Sequence, residues 1–226
     1  MEHPSETYDR GFQSLFEDGF RLMVACEENP HEFDTQYSLA RAAIACSMML
    51  PEVCANICVE TLQLEKSVFN DIDKLSPLAK FDFYLRVSFK NRRIDRGVKA
   101  VQALQELKRL RDRYVHPKKS KVEWKEAGDG AFHGTSPRTE ILGICVNPKM
   151  WCLEDAVKAA QGVHEFLYYF FKTLCGYSKS RVSAMLFCED PVIQLEQPSV
   201  PYYDEEFFSY IGRWQINVSY LNIGRL

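Results

Sequence analysis

The chain has 226 residues, is 46% hydrophobic and 26% charged, and carries a formal net charge of −3 at pH 7. This composition, near the average for globular proteins, excludes a disordered tail, a collagen-like fibre and a disulfide-framed miniprotein. The charge balance excludes a uniformly basic nucleic-acid binder but not a local basic surface.

Apolar residues recur at spacings of three and four over residues 8–26, through Tyr8, Phe12, Leu15, Phe16, Phe20 and Met23. That period predicts an amphipathic helix, which Asn29-Pro30 should end because a residue before proline avoids the helical region. Residues 34–64 form the longest apolar run, with Asp34 or Thr35 as N-cap, small residues at 40, 42, 43, 45 and 55, and Pro51 expected to kink it. Ser76-Pro77 reads as a cap followed by proline at the first helical position, opening a helix to about Phe89. After Asp95-Arg96-Gly97, the apolar period from Val98 to Tyr114 predicts another helix, stopped by Pro117.

Residues 117–150 have loop character, with a short strand expected over 140–146. A strong helical pattern returns at 153–175. The last 50 or so residues hold three prolines and many aromatics, and read as a partly extended segment packed back on the helices, with a strand at 214–220. The fold class expected is all-α: a five-helix bundle over residues 1–178, followed by an irregular C-terminal extension over 179–226.

The eight cysteines lie mostly among apolar neighbours, as reduced core residues do. Cys54 and Cys58 share a helix face but lack a second ligand pair, so no metal is expected. Nor does the sequence hold a Gly-rich phosphate loop, a GxGxxG or a nucleophile elbow, and no cofactor is expected. The N-terminus is polar and acidic, and the apolar stretch 166–171 meets Lys172 after six residues. A spanning helix needs about 20 apolar residues, so the expectation is a cytoplasmic chain with no membrane association. His164 is expected to be a partly buried structural residue, His133 a loop residue and His31 a cap.

Two features point to function. Between Lys90 and Lys121 there are twelve basic residues against three acids, a local +9 that leaves −12 for the rest of the chain. Arg92, Arg93, Arg96, Lys108, Arg113, Lys118, Lys119 and Lys121 belong to this strip, which suits a phosphate backbone; a solvated helix face beside a basic loop gives the same count. Inside the strip, residues 110–117 read Leu-Arg-Asp-Arg-Tyr-Val-His-Pro. Pro117 pushes His116 out of the helix to its C-terminal end, where an imidazole can exchange protons near neutral pH. Arg111, about one turn back, offers a planar two-pronged donor to phosphate. Metal-free RNA cleavage needs a base, an acid and a fixed cation for the phosphorane charge. The structural alternative pairs Arg111 with a Glu or Asp and lets His116 cap the last carbonyls.

These stretches resemble the HEPN domains over roughly residues 34–175. The alanine-rich helix from Tyr37 through Glu52 and Asn56 is similar to the family's first long helix, residues 76–118 to its motif helix and 156–171 to its closing helix. The family's R-x4–6-H motif falls on Arg111, Asp112 and His116. The resemblance implies a metal-independent endoribonuclease of toxin or defence type acting on single-stranded RNA. It would be a homodimer joining two motifs in one cleft, with a cognate inhibitor protein as a further partner. His116 would be general base or acid, Arg111 would stabilise the phosphate and Asp112 would orient one of them. Glu52 would hydrogen-bond Arg111, and Asn56 would lie beside it as support. Other members of the family have lost catalysis and serve as binding modules.

Overall fold

Helix α1 (Phe12–Glu28) ends at Asn29, whose side-chain amide donates to the Ala25 carbonyl at 2.7 Å. Asn29 thus takes the capping role expected of His31, which is exposed. The four-residue connection sends α2 (Phe33–Glu60) back along α1. Gly19 makes the approach close, since a Cβ there would sit 3.3 Å from that of Cys46. Helix α2 has Glu32 at its N-cap position without a side-chain cap, two residues before the expected Asp34 and three before Thr35. It runs through Pro51 without ending, because the proline lies deep in a helix packed on three neighbours. Tertiary packing outweighs one lost backbone hydrogen bond there.

The computed structural model describes residues 11–117, 119, 122–126, 132–187 and 200–226. Among them are eight α-helices where the sequence suggested five. Tyr8, Lys118, Lys121 and Cys188 lie outside the described residues, as does the side chain of His133. Helix α2 is the axis: α1, α4 (Pro77–Ser88) and α6 (Leu153–Tyr168) pack on it, and α5 (Lys99–Val115) packs on α6. By length and composition alone α2 could cross a membrane, with an 18-residue window of mean hydropathy 1.7. Two thirds of that window, 67%, is buried inside the protein.

Three helices were not legible. Helix α3 (Lys66–Asp73) buries no residue, and α7 (Lys179–Phe187) and α8 (Glu205–Arg213) span only nine residues each. Beyond α6 the helix widens into a π-helical segment, Tyr169–Leu174, where the Cys175 amide reaches back to the Phe170 carbonyl. Phe170 and Phe171 are both fully buried there.

The strand expected over 140–146 is absent. Gly143 adopts a left-handed backbone (φ 66°) and turns the chain, and only an isolated bridge joins Arg138 to Cys145. The hairpin instead pairs β1 (Glu123–Glu126) with β2 (Phe132–Thr135). Nor is there a strand at 214–220, which is a series of turns. The extended pieces are β3 (Tyr202–Tyr203) and β4 (Gly224–Arg225), paired in parallel. Residues 200–226 share the main hydrophobic cluster: Phe207 packs on Phe16 and Phe20, and Trp214 Nε1 donates to Glu27 at 3.1 Å.

His164 is fully enclosed, with Nδ1 2.9 Å from the Tyr220 hydroxyl and Phe16 across its ring. Burial lowers its pKa from the usual 6.5 to about 4. The unfolded chain therefore binds an extra proton between about pH 4 and 6.5, so stability is full above 6.5 and falls as pH drops through that window. Urea unfolding should show about 2 kcal/mol less stability at pH 5 than at pH 7 from this group. His164→Gln should flatten that limb; an unchanged acid slope would remove His164 as its cause.

Candidate functional site

Helix α5 separates two depressions. The smaller, about 310 Å³, has an apolar floor of Met48, Pro51, Leu104 and Leu107 and a rim carrying Arg96, Lys108, Arg109 and Arg111. The N-cap Ser76 and the first residues of α4, Pro77 and Leu78, close one side. The larger is an open groove of about 1410 Å³. The start of α2 (Asp34, Tyr37, Ser38, Arg41) faces the end of α5 (Asp112, Arg113, Tyr114, His116) across it, and the loop before α6 forms the third wall.

His116 is the C-cap of α5, exposed, with its backbone N–H donating to the Asp112 carbonyl at 3.0 Å. Its ring is the one imidazole among the described groove residues, alongside Arg41, Arg113, Lys119 and Lys149. Arg111 does not line this groove; it turns to the smaller depression, with Nη2 3.2 Å from Asp112. Burial raises the Asp112 carboxyl, but hydrogen bonds from Lys108 and Arg111 outweigh it and hold the carboxyl below the usual range. Asp112 is thus an anion at neutral pH, suited to fixing Arg111 rather than to donating a proton.

The supporting residues are arranged differently from the expectation. Glu52 lies 4.0 Å from Arg111, an ion pair too long for the hydrogen bond foreseen. It accepts instead from Lys80 at 2.8 Å, and Asn56 accepts from the same ammonium at 2.6 Å. Lys80 is 2% exposed and also reaches Asp73 of α3 at 3.0 Å. Burial alone would lower its pKa, yet Glu52 and Asp73 reverse the sign and keep the ammonium charged. Its three acceptors come from α2 and α3, so it ties α4 to both.

The basic strip is divided rather than continuous. Arg92 donates to the Leu174 carbonyl and lies over the Phe89 ring. Arg93 lines a third site with Asp82, Arg86 and Asp95, and Arg96 lies between it and the smaller depression, lining both. Of the described strip residues, Arg113 and Lys119 reach the His116 groove.

Two buried carboxylates hold the groove's third wall. Glu106 accepts from the Ile141 and Leu142 amides, both at 3.0 Å. Asp155, fully buried, accepts from the Cys145 amide at 3.1 Å, from Arg138 at 2.9 Å and from the Cys152 amide at 3.3 Å. The sequence reading missed Arg41, Lys149 and Asp155 because they lie far from the motif in the chain; it counted Glu106 only as a charge. Among the described residues no three His, Cys, Asp or Glu side chains cluster as a metal site. Cys54 and Cys58 are fully buried, and burial pushes both thiols well above their usual pKa.

Comparison with protein-family models, curated proteins and solved structures finds no match.

Proposed function

We propose that this chain is a HEPN-like, metal-independent endoribonuclease of toxin or defence type. In this reading a cytoplasmic homodimer cleaves single-stranded RNA, under the control of a cognate inhibitor protein. The observation that supports it best is the placement of His116: exposed at the end of α5, in a groove where Arg41, Arg113, Lys119 and Lys149 outnumber Asp34 and Asp112. A phosphate backbone is drawn into such a groove, and an imidazole there can accept the proton of a 2′-hydroxyl. Arg111, braced by Asp112, faces the neighbouring depression, so in this reading it meets the phosphorane only where a dimer joins the two motifs in one cleft.

The test is RNA cleavage by the purified chain in EDTA, with end-group analysis. Products ending in 2′,3′-cyclic phosphate support the reading, and absence of turnover by well-folded protein removes it. Arg41→Ala and Lys149→Ala should each weaken binding across RNA sequences and lower the slope of log affinity against log salt by about 1. An unchanged slope in both would take the groove out of the binding surface.

The second reading is a HEPN-like module that binds a protein or nucleic acid without catalysis. It is favoured by Arg111 being held by Asp112 and turned into the neighbouring depression, away from the His116 groove.

A further inference from the structure

Residue 124 is the one exposed tryptophan in a chain of three. Trp124 is 68% exposed, whereas Trp151 is fully buried and Trp214 is 7% exposed. An indole left in water normally has a reason, because burying so large an apolar surface is favourable.

Its setting is built. Trp124 of β1 pairs directly with Gly134 of β2. A Cβ at residue 134 would lie 3.9 Å from two indole carbons and 2.8 Å from Val122 Cγ1. The missing side chain therefore leaves room over residue 134, which the indole and Val122 both border. The Thr135 hydroxyl donates to the Glu123 carbonyl at 3.1 Å and fixes the adjacent pair. The ring borders that room and is mostly exposed.

The hairpin also rises from the rim of the groove. Lys119 before it and Ser136 and Pro137 after it are groove-lining residues. Gly134, beneath the indole, is two residues from Ser136, within about 7 Å of chain. A flat aromatic face thus stands at the mouth of a cationic groove. Single-stranded nucleic acids are held by that combination: cations follow the backbone and an aromatic ring stacks a base. A paired base has no free face to offer.

We propose that Trp124 is a base-stacking residue that selects an unpaired nucleotide of RNA next to the one held in the His116 groove. This rests on the RNA reading above and supplies what that reading lacks, a physical reason for preferring single strands.

The experiment uses the full chain, a labelled single-stranded oligouridylate and a duplex of equal length. Anisotropy reads binding, and tryptophan fluorescence reads stacking, since the other two indoles are buried. Wild type should bind the single strand with quenching. Trp124→Ala should bind it about 10-fold more weakly, with duplex affinity and salt slope unchanged. Trp124→Phe, which keeps a ring, should retain most of the affinity. Single-strand binding by Trp124→Ala at wild-type strength would overturn the stacking role and leave the RNA reading standing. Equal losses for single strand and duplex would also overturn it, as would binding without quenching. If wild type binds neither RNA, both the inference and the RNA reading fall.

Discussion

RNA incubated in EDTA with His116→Ala protein is expected to be cleaved about 10²–10⁴-fold more slowly than with wild type. The two proteins should melt at the same temperature. His116 is exposed and sits past the last turn of α5, and its bond to the Asp112 carbonyl uses the backbone, which alanine keeps. Surface changes of this kind cost within about 0.5 kcal/mol, so a fall in rate reports chemistry rather than folding. Cleavage by the variant at wild-type rate would exclude the histidine from the reaction. Arg111→Ala in the same assay bears on the second reading. If His116 and Arg111 act together, both substitutions lower the rate. If Arg111 serves only its pair with Asp112, its removal leaves the rate alone.

The largest stability effect is expected from Asp155→Ala, about 2–4 kcal/mol in denaturant unfolding. The carboxylate is fully buried and serves four donors: the Cys145 and Cys152 amides, Arg138 and the Cys152 thiol. Removing it leaves a buried amide without its acceptor and takes the side chain from the capping position of α6. Arg138 is half-exposed and contributes least, because water can replace its partner. Asp155→Asn keeps an acceptor and should cost less. A shift below about 1 kcal/mol for the alanine variant would show that the loop holds itself without this group. The effect also reaches the groove, since Val146, Asn147, Pro148 and Lys149 line it just beyond the Cys145 anchor.

Much of the helical architecture is legible where the chain writes it locally. The three-and-four spacing marks α1 and α5, and Asn29-Pro30, Ser76-Pro77 and Pro117 mark boundaries through the restrictions proline imposes. Helix α3 escapes because it buries nothing and so has no apolar stripe to detect. The error at 140–146 has the opposite origin: an apolar run suggested a strand, but Gly143 and the Glu106 carboxylate fold it into a turn. At the candidate site, Arg111, Asp112 and His116 are readable because they lie within one turn or so of each other. Arg41 and Lys149 come to share a groove with His116 only through the packing of the chain. Lys80 shows the limit most plainly. Nothing in its local sequence separates it from a solvated lysine, yet it is buried on three acceptors from two other helices.

The π-helical segment after α6 places the chain that follows on a different rotational phase. An α-helix turns by about 100° per residue, and a π turn absorbs one residue beyond that count. Phe170 and Phe171, neighbours in sequence, can therefore both point inward, and Tyr177 arrives where its hydroxyl meets that of Tyr84. Within residues 169–174 the count of residues matters more than their identity. A conservative replacement leaves the phase intact, whereas loss of a single residue would rotate the start of α7 away from the surface it packs on. Length variation among related chains should accordingly collect in the loops and spare this stretch.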